Sequence, residues 1–259
     1  AVVMAWTAAN RFVLSANFHT GALVVNYPYD DDGVPSGTDA PTPDDLLFED
    51  VSRRYSFYNA PMWNSPIFED GITNGVAWYI ATGSLQDWNY RYMACNDVTI
   101  ELSDTKTPSA SLLPDYWDDN RESMLNFLEA VHIGVRGLVT DAVTGLPLNA
   151  RITVQGNAQA VFTDPDVGDY HRMLLPGTYT ITAETAGYDA QTFPNVTVFD
   201  GPATRVDVAL MPSGTVFDAD VDGSGAVTAV DVKLVINAAL GLSVLYDCDV
   251  NGDGLTNAV

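Results

Sequence analysis

Hydrophobic and polar positions change their period twice along the chain, which divides it into three stretches. Up to about residue 133, strand-like runs (RFVLSA, GALVVN, DVTIEL) alternate with helix-like ones, of which PDDLLFEDVSRRYSFY and NRESMLNFLEAVH are the clearest. This alternation predicts an α/β domain over residues 1–133, a mixed sheet with covering helices. The second helix reads as starting at an Asn120 N-cap, with Glu122 in its first turn and Met124, Leu125, Phe127, Leu128 and Val131 on one apolar face. From Gly134 to Pro212 the runs shorten. VRGLVTDA, ARITVQG, GTYTITAET, QTFPNVTVF and TRVDVALM are rich in β-branched residues and are separated by turns such as TGLP, DVGD and LPGT. A small all-β sandwich with its own core is predicted over 134–212. In the last stretch, 213–259, an amphipathic helix (VDVKLVINAALG) stands between two Asp- and Gly-rich loops, a small α-helical segment of EF-hand-like form.

The loops have metal-ligand spacing. Asp220, Asp222, Ser224, Thr228 and Asp231 occupy positions 1, 3, 5, 9 and 12 of a calcium loop, Ala226 offers its carbonyl at 7, and Gly225 stands at 6, where the backbone must turn sharply. A second copy begins at Asp249, Asn251 and Asp253, with Gly254 at the turn, the Leu255 carbonyl and Asn257 following, and no position 12. Oxygens alternate because a hard cation needs them converging from one curled loop.

Charge narrows the partners. Lys and Arg number 11 against 34 Asp and Glu, a formal net charge of -23, which opposes a nucleic-acid surface and favours cationic partners. No apolar run approaches the roughly 20 residues of a membrane-spanning helix, so no transmembrane segment is predicted. The opening AVVMAWTAANRF has neither an initiator methionine nor a basic leader, so the true N-terminus is expected upstream.

Two residues carry candidate chemistry. Glu101 lies inside VTIEL, a run that otherwise reads as a buried strand, and an ionised carboxylate there needs a partner or a purpose. A structural arginine and a catalytic role both satisfy that demand. His19 closes the strand FVLSANFH, where a packing or capping role competes with a ligand role.

The strings RFVLSANFHTGALVVNYPYDDD, DGITNGVAWYIATGSLQDWNY and CNDVTIELS resemble, in order and spacing, the C-terminal half of the catalytic domain of zinc carboxypeptidases of the regulatory (N/E-type) branch. The β-rich stretch is similar to the transthyretin-like domain that follows it in that branch, and 213–259 resembles a truncated bacterial type I dockerin repeat. The resemblance implies a secreted bacterial metallocarboxypeptidase that removes C-terminal Lys or Arg. His19 would be one of three zinc ligands, and Glu101 the general base toward the water that zinc activates. Tyr79 would close over the substrate carboxylate; Asp30 and Gln86 would receive the basic side chain. Zinc and calcium are the implied cofactors, and a cohesin-like or cell-surface protein the implied attachment partner, although loop positions 10 and 11 are Ala229 and Val230 where hydroxylated residues are usual. Thr20 departs from the branch, which has glycine there. No His-x-x-Glu occurs, so two ligands are missing and the chain alone is expected to be an inactive fragment. The alternative is an inactive carboxypeptidase-like binding or adhesion module held by its calcium repeats.

Overall fold

The computed structural model describes residues 2–213, 220–244 and 248–250. In chain order the first part holds α1 (Val2–Ala8), β1 (Leu14–His19), β2 (Ala22–Tyr27), α2 (Asp45–Ser56), the one-turn α3 (Ala60–Trp63), β3 (Ile72–Asn74), the one-turn α4 (Gly75–Trp78), α5 (Leu85–Met93), β4 (Asn96–Ser103) and α6 (Leu113–Glu129). Its four strands form a mixed sheet in the order β1-β4-β2-β3, with β1 parallel and β2 antiparallel to β4.

Side chains alternate across a strand, so each strand writes to two faces. On one, Leu14, Ala16, Val98, Ile100, Val25, Tyr27 and Ile72 meet Leu47, Phe48, Val51 and Tyr55 of α2 and Phe127 of α6 in a single core. Polar residues fill the other, and the candidate site is built there.

Helix α6 begins at Leu113, with Pro114 in its first turn, two turns before the expected start. Asn120 is not its N-cap: it is buried mid-helix, accepting hydrogen bonds from the Tyr55 hydroxyl (2.7 Å) and Asn59 Nδ2 (2.9 Å). These buried donors need an acceptor, and that need sets the helix rotation. The inward face is Asn120, Ser123 and Phe127 with Met124 beside it, while Leu125 and Leu128 are exposed.

The second part is all β: β5 (Val135–Asp141), β6 (Arg151–Val154), β7 (Asn157–Phe162), β8 (Asp169–Arg172), β9 (Gly177–Glu184), β10 (Gln191–Val198), β11 (Thr204–Arg205) and β12 (Val208–Leu210). One sheet runs β10-β9-β6-β7; in the other, β5 pairs with β8, β11 and β12. Val139, Ile152, Ile181, Val208 and Leu210 are among the side chains of its core. That core is not the whole of its packing, because Met173 and Leu175 insert into the core of the first part. Just before them, Arg172 is the largest fully buried side chain and forms an ion pair with the buried Asp44 at 2.6 Å. Helix α7 (Ala229–Ala239) follows the first calcium-type loop.

Candidate functional site

The polar face of the first sheet sets the site. In the β1–β4 register Ser15 stands beside Asp97, Asn17 beside Thr99 and His19 beside Glu101. Across β4, Asn26 of β2 faces Thr99 and the buried Val24 faces Glu101. His19 is exposed at the strand end, whereas Glu101 is only 8% exposed and its Oε2 has no hydrogen-bond partner. Burial raises the Glu101 pKa, and the charges of His19 and Lys106 oppose the rise. A carboxyl held near a histidine, with one free oxygen and a raised pKa, is suited to taking up and returning a proton.

Asp30 ends the segment after β2 and is 3% exposed. Asn26 Nδ2 donates to its Oδ1 at 2.9 Å, and its own N–H donates to Asp87 Oδ1 at 2.9 Å. The chain from α4 closes around it. Ala81 N–H reaches its carbonyl at 3.0 Å, and a Cβ on Gly75 would lie 2.1 Å from its Oδ1, so only glycine fits there. Burial is the chief cause that pushes its pKa up to about 6, with hydrogen bonds from Asn26 and Ser84 opposing and the charges of Asp87 and Asp97 adding to it. Tyr79, half exposed, follows α4 with its ring against Trp78 at 4.7 Å between centroids. Its hydroxyl pKa is raised by burial and then by the charges of Glu101 and Asp30, so it lies within the field of both.

Gln86, on α5, is fully buried, and neither its Nε2 nor its Oε1 has a partner. Other acceptors around it are in the same condition: Asn26 Oδ1, Asn89 Oδ1, Asp97 Oδ1 and Glu101 Oε2. All lie on the polar face or on α5, which packs against β4. Buried acceptors without protein donors cost free energy unless water, an ion or a ligand supplies the missing partner. The structure thus brings His19, Glu101, Tyr79, Asp30 and Gln86 to one side of one sheet. Asp97, Asp87 and Asn26 belong with them, although the sequence reading passed over them. The alternation Asp97, Thr99, Glu101 against Val98, Ile100, Leu102 was the available signal.

A catalytic zinc site takes three protein ligands. Among the described residues, His19 is not grouped with two further metal-binding side chains, and the carboxyl of Glu101 stands beside it in the β1–β4 register. The one group of three is Asp220, Asp222 and Asp231, whose ligand oxygens all lie within 4.8 Å of one another. Ser224 and Gly225 donate N–H groups to Asp220, Ser224 Oγ contacts the Ala226 carbonyl, and Thr228 caps α7 in a reciprocal box with Asp231. Of the second loop, Asp249 is described, whereas Asn251, Asp253, Leu255 and Asn257 lie outside the described residues.

Residues 1–123 match the zinc carboxypeptidase family and residues 134–211 the carboxypeptidase regulatory-like domain. The chain therefore carries zinc carboxypeptidase sequence over its first 123 residues, followed by a carboxypeptidase regulatory-like domain. Among its relatives, carboxypeptidase D of Anas platyrhynchos is 43% identical over 223 residues, covering 82% of this chain and 16% of the relative. Carboxypeptidase D of Homo sapiens is 44% identical over 223 residues, with the same two coverages. The carboxypeptidase N catalytic chain of Mus musculus is 43% identical over 225 residues, covering 82% of this chain and 48% of the relative. The chain spans less than half the length of each. No helix among the described residues is long and apolar enough to cross a membrane.

Proposed function

We propose that this chain forms part of a secreted metallocarboxypeptidase that removes C-terminal Lys or Arg from peptides. Asp30 and Gln86 receive the basic side chain, Tyr79 closes over the terminal carboxylate, and His19 contributes one ligand to zinc, the others coming from outside the described residues. Bound zinc supplies Lewis-acid chemistry and lowers the pKa of water. Glu101, through its unpartnered Oε2, takes the proton of the attacking water and delivers it to the departing amine.

The observation that carries the specificity is the buried, unpaired carboxyl of Asp30. Asp30 is 3% exposed and makes no ion pair among the described residues, its side chain accepting from the neutral Asn26 amide, and a guanidinium or ammonium brings three to five N–H groups with one positive charge. The test compares kcat/KM on Arg- and Leu-terminated peptides in the full-length protein. Asp30→Ala is expected to lose roughly 30- to 1,000-fold on the former and little on the latter; equal losses on both would refute the assignment.

We further propose that the Asp220–Asp231 loop binds calcium and orders an attachment element. Support comes from the convergence of three carboxylates with the Ser224 and Thr228 hydroxyls in the described order. Calcium titration followed by calorimetry is expected to show at least one site; a flat titration at millimolar calcium would remove this reading.

A further inference from the structure

Four side chains of the regulatory-like domain converge on Asp44 and Tyr90 of the first part. Arg172 donates to Asp44 Oδ1 at 2.6 Å and to the Met173 carbonyl at 3.0 Å. Asn157 Nδ2 donates to the same Asp44 oxygen at 2.7 Å and to the Pro43 carbonyl at 3.0 Å. Gln159 Nε2 reaches the Tyr90 carbonyl at 3.0 Å, and Tyr179 lies close enough to Arg172 and Asp44 for both charges to act on its hydroxyl.

The bonds meet again at Tyr90. Its hydroxyl donates to the other oxygen of Asp44 at 2.9 Å, and its ring packs on Tyr29 at 5.9 Å and on Phe48 at 5.1 Å. Tyr29 directly precedes Asp30. On α5, Tyr90 is one turn beyond Gln86, so the two occupy one buried face, and Asp87 between them holds the backbone N–H groups of Asp30 and Asp31 at 2.9 and 3.0 Å. Moving Tyr90 moves Gln86 and Asp87 with it, since a helix shifts as a body.

A merely adhesive interface would not need this construction. Burying a guanidinium and a carboxylate is expensive, and an apolar contact of equal size holds two domains at least as well. What a buried, hydrogen-bonded pair adds is a fixed geometry. We propose that Arg172, Asn157 and Gln159 of the regulatory-like domain are positioning residues for the side-chain pocket, acting through Asp44 and Tyr90 on Gln86, Asp87 and Asp30. The domain is then a working part of specificity. This rests on the reading of Asp30 and Gln86 as the pocket for a basic side chain.

Tyr90→Phe and Gln159→Met each remove one bond while leaving the Arg172–Asp44 pair intact. Two readouts are taken on the full-length protein: the affinity ratio for acylated arginine over acylated norleucine, and amide hydrogen exchange along the chain. Each variant is expected to lower the ratio roughly three- to tenfold, modest against the ~100-fold that a 1 Å displacement of a positioned group can cost. Exchange is expected to quicken in segments 28–32 and 84–92 alone. If both variants keep the ratio and show either no change in exchange or a uniform rise, the contacts are structural only and the proposal fails. If the unmodified protein shows no preference for arginine, the pocket reading fails on its own; local quickening at 28–32 and 84–92 then still supports positioning, and its absence overturns that too.

Discussion

Replacing Asp30 with asparagine is expected to make the protein more stable and less selective, and pH separates the two effects. The carboxyl is 3% exposed, and its pKa rises from 3.8 to about 6 on folding. A carboxyl whose pKa is raised by folding contributes stability that is fully present below its unfolded pKa and is lost as pH climbs through the folded one. Between pH 4 and pH 7 that loss corresponds, at 1.36 kcal/mol per pKa unit, to about 3 kcal/mol. Asparagine keeps an Oδ1 for the Asn26 amide and carries no charge to desolvate, so Asp30→Asn escapes the loss and relieves the repulsion that Asp87 and Asp97 exert on the site. At 2–4 °C per kcal/mol, the variant is expected to melt about 6 to 12 °C above wild type at pH 7.5 and within a degree or two of it at pH 4. Thermal unfolding across pH 4–8, followed by tryptophan fluorescence, measures this; all five tryptophans lie before residue 118, so the signal reports the part that contains Asp30. A variant that melts below wild type at pH 7.5, or a difference that does not vary with pH, would refute burial of an uncompensated carboxylate.

Other outcomes follow from the same geometry. Glu101→Gln keeps the shape of the site but removes the proton acceptor, and turnover of the full-length protein should fall at least 100-fold; near-normal hydrolysis would exclude Glu101 as the base. Arg172→Met strands the Asp44 carboxylate and should cost about 3 to 5 kcal/mol in denaturant unfolding, toward the lower figure because Tyr90 and Asn157 still donate to it. Adding Asp44→Asn should restore part of that loss, and strict additivity would show that the pair is not coupled. Gly75→Ala places a methyl on Asp30 Oδ1 and should abolish selectivity for basic termini, read as the Arg-to-Leu ratio of kcat/KM.

The strands that carry the candidate residues were legible in the sequence because strands advertise their faces. The runs FVLSANFH and DVTIEL marked β1 and β4, and the roles given to His19 and Glu101 rest on the family resemblance. The start of α6 was misread because its inward face includes the polar Asn120 and Ser123, and the burial of Asn120 depends on Tyr55 and Asn59 some 60 positions earlier. Nothing local marks HRM as the deepest point of the interface: an arginine reads as surface until Asp44, 128 residues away in sequence, is set against it. Strands β7 and β8 went unread for a similar reason, since Val161 is the sole β-branched residue in the two.

Strand β4 amounts to two messages interleaved letter by letter. Positions 97, 99 and 101 spell the polar face, while 98, 100 and 102 spell the core. A single residue inserted between Cys95 and Glu101 would exchange the two messages, send acids into the core and valine to the polar face, and forfeit the fold.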